Sequence, residues 1–450
     1  MAQVGVRVKV LFNTYPMAFH TPGGGEIQLL QYRQFLPRQG VDVALLNLWK
    51  PEFGSHDLLH FFSCMSGSVH FCAFAKSIGL PLVVSPNLWI TEENRGHYPF
   101  DEIRTQFVLA DRVIGNSDME CDLLARVFNM PRERFSTVYN GVNDIFCHRV
   151  DPALFRSQFA IDGPFVLNVA NIEARKNQLG LARAMKQHPD MKLVLIGHQR
   201  DPAYAAEVMA AGEGQVIYLG PLPHDSILLR SAYAACEVFA LPSTLETPGL
   251  AALEACAIGA RIVVTGEGST REYFGVGAVY VDPSDMESIA SGVTQAMQGE
   301  RCMTAAMHTR ANYTWQRASH ALASVYNELV DGGTQGSPPP GFNPVEQGPF
   351  AFAWAEGDVK FDWSAGELFF FLHALTNATV EFLVDGVTAL GPLNVGPDWT
   401  HHRLEIVARE GVATHQVQLR VNAQTTAIPG DPRKLAVAIG RVEFRPAVAA

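Results

Sequence analysis

Charge is scarce in this 450-residue chain and leans to one sign: charged residues make up 18% and the formal net charge is −11. Nucleic acid needs a basic face for phosphate neutralisation, so this balance disfavours it as the main partner. The seven cysteines, at 64, 72, 121, 147, 236, 256 and 302, include no C-x-x-C pair. They indicate neither a disulfide framework nor a zinc site, and a reducing cytoplasm suits them best. Long hydrophobic runs are missing too. The stretch LFFFLHAL (368–375) falls short of the roughly 18–20 residues of a spanning helix, so any membrane contact is expected to be peripheral. No charged region, apolar core and cleavage site precede the strand-like VRVKVLFNT, which argues against secretion. No G-x-G-x-x-G follows a first strand with an acidic residue about twenty positions on, which weakens a nicotinamide-enzyme reading. No D-x-D stands at a strand end, so no metal and no separate cofactor are expected.

Apolar residues are plentiful at 48%, enough to build cores, and a prior of roughly 100–200 residues per domain suggests three of them. Over residues 1–150 short β-rich runs (VRVKVLF, DVALLNL, DLLHFF, LPLVVS, DRVIGN) alternate with helical patterns, as in a parallel sheet covered by helices. The alternation restarts over 151–330 with PFVLNVAN, KLVLIG, QVIYLG, EVFALP, RIVVTG and AVYVDP, and ends in helical periodicity over 301–330 that predicts one long helix. The Gly- and Pro-rich segment 331–344 is a linker by composition. From 345 to 450 the period becomes two: in HQVQLRV, Val417, Leu419 and Val421 would face inward and Gln416, Gln418 and Arg420 outward. The fold class is therefore α/β, two Rossmann-like domains, followed by an antiparallel β-sandwich.

The stretch LETPGLAALE (245–254) sets Glu246 and Glu254 around a predicted helix start. Thr247 is a candidate N-cap, Pro248 suits the first helical position, and Gly259 would close a helix over 248–258. The first amides, Gly249 to Ala251, then offer an anion site at the positive end of the helix dipole. The two carboxylates would accept hydrogen bonds from different hydroxyls of one ligand. A ribose, a diphosphate and a hexose would explain the spacing.

The region PSTLETPGLAALEACAIGARIVVTGEGSTREYF resembles the E-x7-E signature of glycosyltransferase family 4, retaining enzymes of the two-Rossmann (GT-B) architecture. TPGGGE (21–26), VYNGVN (138–143), NVANIEARKNQ (168–178) and LGPLPHDSILLRSAYAACEVFALPS are similar to other family landmarks, in the family's order. The resemblance covers about residues 6–330. It implies that Glu246 contacts hydroxyls of the transferred sugar, that Gly249 and Leu250 approach sugar and phosphate, and that Glu254 holds the ribose. It likewise implies that Lys176 neutralises the diphosphate. Five residues earlier the family has an arginine where this chain has Asn171, so Arg175 is a candidate substitute. Asn87 stands where the family often carries a histidine.

Gly23, Gly24 and Gly25 would let backbone approach the phosphates. Thr270 and Glu272 in GEGSTRE are candidate donor contacts, with a helix cap as the alternative for Glu272. His60 and His97 are candidates to reach the cleft from the acceptor side, against a structural role for each. Trp354, Trp363 and Trp399 suit core packing better than sugar stacking. The resemblance implies a nucleotide sugar as donor, a glycan or lipid-linked acceptor, and a metal-independent reaction. A nucleotide-sugar epimerase or a catalytically silent, glycan-binding scaffold are the rival readings.

Overall fold

The computed structural model describes residues 8–446 except 21, 302, 333, 337–345, 348–350, 356, 399, 410, 411, 413, 423–425 and 428–433. The first unit is a parallel sheet of β1 (Val8–Thr14), β2 (Val41–Leu45), β3 (Leu58–Phe62), β4 (Leu82–Val84), β5 (Arg112–Gly115) and β6 (Phe135–Thr137), ordered β2-β1-β3-β4-β5-β6. Its helices are α1 (Gly24–Phe35), α2 (Ser68–Ser77), α3 (Phe100–Leu109) and α4 (Asp118–Val127). The all-apolar runs explain the architecture, because a strand covered by helices on both faces has no wet side: β3 is buried at every position.

The second unit repeats the plan. Its strands are β7 (Phe165–Val169), β8 (Lys192–Ile196), β9 (Val216–Tyr218), β10 (Val238–Leu241), β11 (Arg261–Thr265) and β12 (Ala278–Val281), ordered β12-β11-β10-β7-β8-β9. All six runs picked from the sequence form strands. Around them lie α5 (Ala153–Phe159), α6 (Gln178–Ala184), α7 (Pro202–Ala211), α8 (Ile227–Ala235), α9 (Leu250–Ile258), α10 (Thr270–Phe274) and α11 (Met286–Gln298). The strand order reverses direction between β7 and β10, and in open α/β sheets the crevice beyond the carboxyl ends at such a point receives ligands.

The terminal helix differs from expectation. It is two helices, α12 (Met303–Asn312) and α13 (Trp315–Gly332), separated where Val142 and Thr314 form a bridge. Although the 151–330 boundary places it with the second unit, α13 returns to the first. Trp315, Ala318, Leu322 and Tyr326 recur at helical spacing and are buried with Val10, Phe12 and Tyr32. Gly332 falls inside the segment expected to be linker, and so does β13 (Thr334–Gly336); residues 333 and 337–344 lie outside the described part.

The C-terminal region is antiparallel. Its strands are β14 (Glu346–Gln347), β15 (Ala351–Ala355), β16 (Val359–Trp363), β17 (Gly366–His373), β18 (Ala378–Val384), β19 (Val387–Val395), β20 (Thr400–Ile406), β21 (His415–Asn422), β22 (Thr426–Ala427), β23 (Lys434–Leu435) and β24 (Val437–Pro446). One sheet runs β14-β15-β24-β17-β20, with β13 also paired to β24; another runs β16-β21-β18-β19. Phe370, Leu372 and Ile439 from the first pack with Phe382, Val417 and Leu419 from the second. Trp354 is buried and Trp363 packs at the edge of this core, while Trp399 lies outside the described residues. This sandwich rests on the first unit at Gly79 (φ 77°), where an added Cβ would lie 2.6 Å from Phe371.

Truncating Trp315 to alanine removes a fully buried indole from the seam between α13 and the first unit. A loss of about 3–5 kcal/mol is expected, read as a lower urea midpoint at unchanged slope.

Candidate active site

The loops that follow β7, β8 and β10 converge at the strand-order reversal. After β7 the chain makes a single tight turn over Ala174–Lys176 and then Asn177, at φ 55°, caps α6. The Asn177 amide donates to the carbonyls of Pro242, at 3.1 Å, and Pro283, at 2.8 Å, so the loop carrying Lys176 is fixed to the loop that leaves β10.

Glu246 sits on that second loop, and its backbone is gripped by the GEGST segment. Its N–H donates to Glu267 O at 3.3 Å, and its own carbonyl accepts from Ser269 N–H at 3.0 Å. Gly268 (φ 92°) makes the grip possible, because a Cβ there would lie 2.1 Å from that carbonyl. The Glu246 carboxylate is 4% exposed and is salt-bridged to the Lys176 ammonium, with the Arg175 guanidinium at 4.0 Å. Burial works to raise the Glu246 carboxyl, but Lys176 and Arg175 together hold it below its usual value. Burial draws the Lys176 ammonium below its usual value, against the pull of Glu246.

The helix after Glu246 begins later than its sequence implies. Pro248 follows a cis peptide bond, Gly249 at φ 85° takes the N-cap, and α9 starts at Leu250. Thr247 is therefore not the cap. The first intrahelical bond runs from Ala252 N–H to Gly249 O, which leaves the Leu250 and Ala251 amides ahead of the ladder. Gly259 closes the helix at φ 98°, as expected.

Glu254, on the second turn of α9, is buried and held at both oxygens. His224 Nε2 lies 2.6 Å from Oε1, and Tyr233 OH donates to Oε2 at 2.8 Å. Burial alone would lower the His224 pKa, yet the adjoining Glu254 carboxylate outweighs it and raises the value above that of an ordinary histidine. Neither His224 nor Tyr233 was singled out from the sequence. The signal was a histidine in PLPHD, between β9 and α8, thirty positions before a carboxylate with no obvious partner.

Across the crevice, Gly23 caps α1, and its N–H donates to Glu26 Oε2 at 2.7 Å. An added Cβ at Gly24 would meet Leu250 at 4.0 Å, and one at Gly25 would meet the Asn87 amide at 3.2 Å. The three glycines therefore face the second unit and the acceptor-side loop together. Asn87 is exposed at φ 49° and joins a carboxamide network: it donates to Gln28 Oε1 and accepts from Asn116 Nδ2, each at 3.1 Å. Asn171 is the neutral neighbour on the donor side and donates to Pro22 O at 3.3 Å. Arg175 is half exposed; besides Glu246 it reaches Leu245 O and the Glu173 carboxylate, each at 3.3 Å.

Four candidates lie elsewhere or are otherwise engaged. His60 does not reach the cleft: it is fully buried on β3, with Nδ1 2.6 Å from Tyr326 OH and Nε2 2.8 Å from Ser85 Oγ. His97 is exposed on a short turn between β4 and α3. Thr270 is buried and its hydroxyl donates to Thr265 O at 2.7 Å, so it supports the loop rather than presenting a ligand group. Glu272 caps a helix of the other unit: its carboxylate accepts from the Asp118 and Met119 amides at 2.8 and 2.9 Å and from Tyr139 OH at 2.6 Å.

The arrangement offers an anion two backbone amides at the start of α9 beside a part-buried ammonium, and offers hydroxyls two fixed carboxylates. The chain matches the model of Glycosyltransferase Family 4 over residues 1–146 and that of Glycosyl transferases group 1 over residues 152–314. It is 29% identical over 314 residues to D-inositol 3-phosphate glycosyltransferase 1 of Catenulispora acidiphila, covering 62% of this chain and 74% of that protein. It is 25% identical over 253 residues to O-antigen chain mannosyltransferase B of Escherichia coli, covering 53% and 66%. Among solved structures, sucrose-phosphate synthase from Thermosynechococcus elongatus aligns over 72% of this chain and 100% of its own, with TM-score 0.61 and 18% identity. Anabaena HepE in complex with UDP-glucose aligns over 72% and 98%, with TM-score 0.53 and 20% identity. At such identities the structures speak for the fold.

The His224–Glu254 pair carries a pH signature. A histidine whose pKa is raised on folding stabilises fully below its unfolded value of about 6.5 and loses that contribution as pH rises through the folded value. The melting-temperature gap between the native chain and His224→Gln is therefore expected to be widest near pH 6 and to narrow toward pH 9. A gap independent of pH would contradict the charged pair.

Proposed function

Because residues 1–314 belong to the family 4 glycosyltransferases, which transfer a sugar from a nucleotide sugar, we propose that this chain moves a hexose onto a glycan or lipid-linked acceptor. The observation that carries the reading is the part-buried Lys176–Glu246 ion pair at the amino end of α9, with Glu254 one turn further on. Lys176 and the Leu250 and Ala251 amides meet the diphosphate, Glu246 meets hydroxyls of the sugar, and Glu254 takes the ribose through the lone pairs that His224 and Tyr233 leave open. The acceptor enters from the first unit, past Asn87 and the Gly23–Gly25 turn.

The reaction proceeds with retention and without a protein base. The bond from the anomeric carbon to the diphosphate breaks while the acceptor oxygen bonds to the same face, and the acceptor proton passes to the departing phosphate oxygen. The protein's share is electrostatic: charge accumulates on the phosphate, where the ammonium and the helix amides are already in place. These groups supply the compensation that a metal would otherwise provide, so the proposed reaction is metal-independent. The biological setting, polysaccharide assembly at the cytoplasmic membrane face, is suggested by the likeness to an O-antigen chain mannosyltransferase. Among the described residues no helix is long and apolar enough to cross a membrane, so contact there would be peripheral.

Incubation with a panel of nucleotide sugars, UDP-glucose first, tests the reading. Release of nucleoside diphosphate supports it, and binding without turnover supports the silent scaffold, which the neutral Asn171 favours. Glu246→Ala and Lys176→Ala are each expected to lower turnover at least about a hundredfold, the usual effect of removing a preorganised electrostatic contact. Near-native rates in either would remove that residue from the mechanism.

A further inference from the structure

Lys176 is already committed to Glu246, so a bound diphosphate needs a further cation. Two arginines meet the same carboxylate: Arg175 lies 3.3 Å from Glu173 Oε1 and Arg200 lies 3.3 Å from Glu173 Oε2. Their surroundings separate them. Arg175 is 51% exposed, donates to Leu245 O and has its guanidinium 4.0 Å from Glu246 Oε1, so it is turned toward the carboxylate rather than toward the first unit. Arg200 is 30% exposed and extends toward the first unit, where an added Cβ on Gly23 would lie 3.3 Å from its Nη2.

The backbone that carries Arg200 is fixed. Ile172 and Gln199 form a parallel bridge, Ile172 N–H donates to His198 O at 2.8 Å, and Asp201 caps α7 by accepting from Tyr204 N–H at 3.0 Å. Gly197 lets this loop lie flush on the loop after β7, since a Cβ there would sit 1.9 Å from Ala170 O. Asn171, on that neighbouring loop, reaches Pro22 O. From adjacent loops, a neutral amide thus bonds Pro22 and a guanidinium faces the next residue, Gly23. The positive charge at this point of the crevice comes from position 200.

We propose that Arg200 is the second cation of the diphosphate site, gripping the donor between its own loop and the Gly23–Gly25 turn; this rests on the glycosyltransferase reading above. The planar guanidinium donates two parallel hydrogen bonds to phosphate oxygens, a match an ammonium does not offer. Diphosphate binding would replace Glu173 as its partner. Arg175, by contrast, stays at the rim.

Titration calorimetry with UDP, GDP and ADP, the matching monophosphates and the nucleosides tests this on the full chain. For whichever diphosphate the native protein binds, Arg200→Ala is expected to weaken affinity about tenfold or more, with a smaller loss for the monophosphate and none for the nucleoside. Arg200→Lys should recover part of the loss. A merely structural role would lower the melting temperature without changing the ratio of diphosphate to nucleoside affinity. An unchanged ratio in Arg200→Ala, or a selective loss in Arg175→Ala instead, would overturn the inference and leave the donor reading standing. A native chain that binds no nucleoside diphosphate would overturn both.

Discussion

Two opposite charges share the mouth of the second sheet, and neither could remain there alone. Taking an ammonium or a carboxylate out of water costs several kcal/mol even after relaxation; Glu246 is buried and the Lys176 side chain keeps only 14% of its surface exposed. Each is tolerable because the other is present, which ties the loop after β7 to the loop after β10. The remaining anchors serve that pairing: Asn177 bonded to two proline carbonyls, and Gly268 pressed against the Glu246 backbone. The site is preorganised because its charges are expensive to misplace.

Glu254 shows the same logic on a smaller scale. A carboxylate on an otherwise apolar helix is kept by a histidine and a tyrosine from neighbouring segments. Both acids therefore have fixed oxygens, and the distance between them is set by the start of α9 rather than by flexible side chains. A ligand meeting both must span that helix start.

The second sheet was legible because its strands are continuous apolar runs bounded by turn residues. What escaped the sequence depended on long-range partners. The start of α9 shifts to Leu250 because Gly249 adopts φ 85°, a choice invisible to an N-cap rule that favours Thr247. His60 carries a cleft reading and a structural one in the sequence, and Tyr326, 266 positions away on α13, decides for the structural one. Glu272 carries two readings in the sequence, donor contact or helix cap, and only the Asp118 amide, 154 positions upstream, decides for the cap. Arg200 and His224 are not legible in the sequence, because a lone arginine or histidine in a loop has no periodicity to mark it.

Gly79, where the sandwich leans on the first unit, precedes β4, whereas Asn87 follows it. The two residues therefore stand at opposite ends of one short strand, roughly 10 Å long at about 3.3 Å per residue. The sandwich therefore meets the first unit at the end of β4 opposite the Asn87 turn, so the two surfaces are joined through only three strand residues.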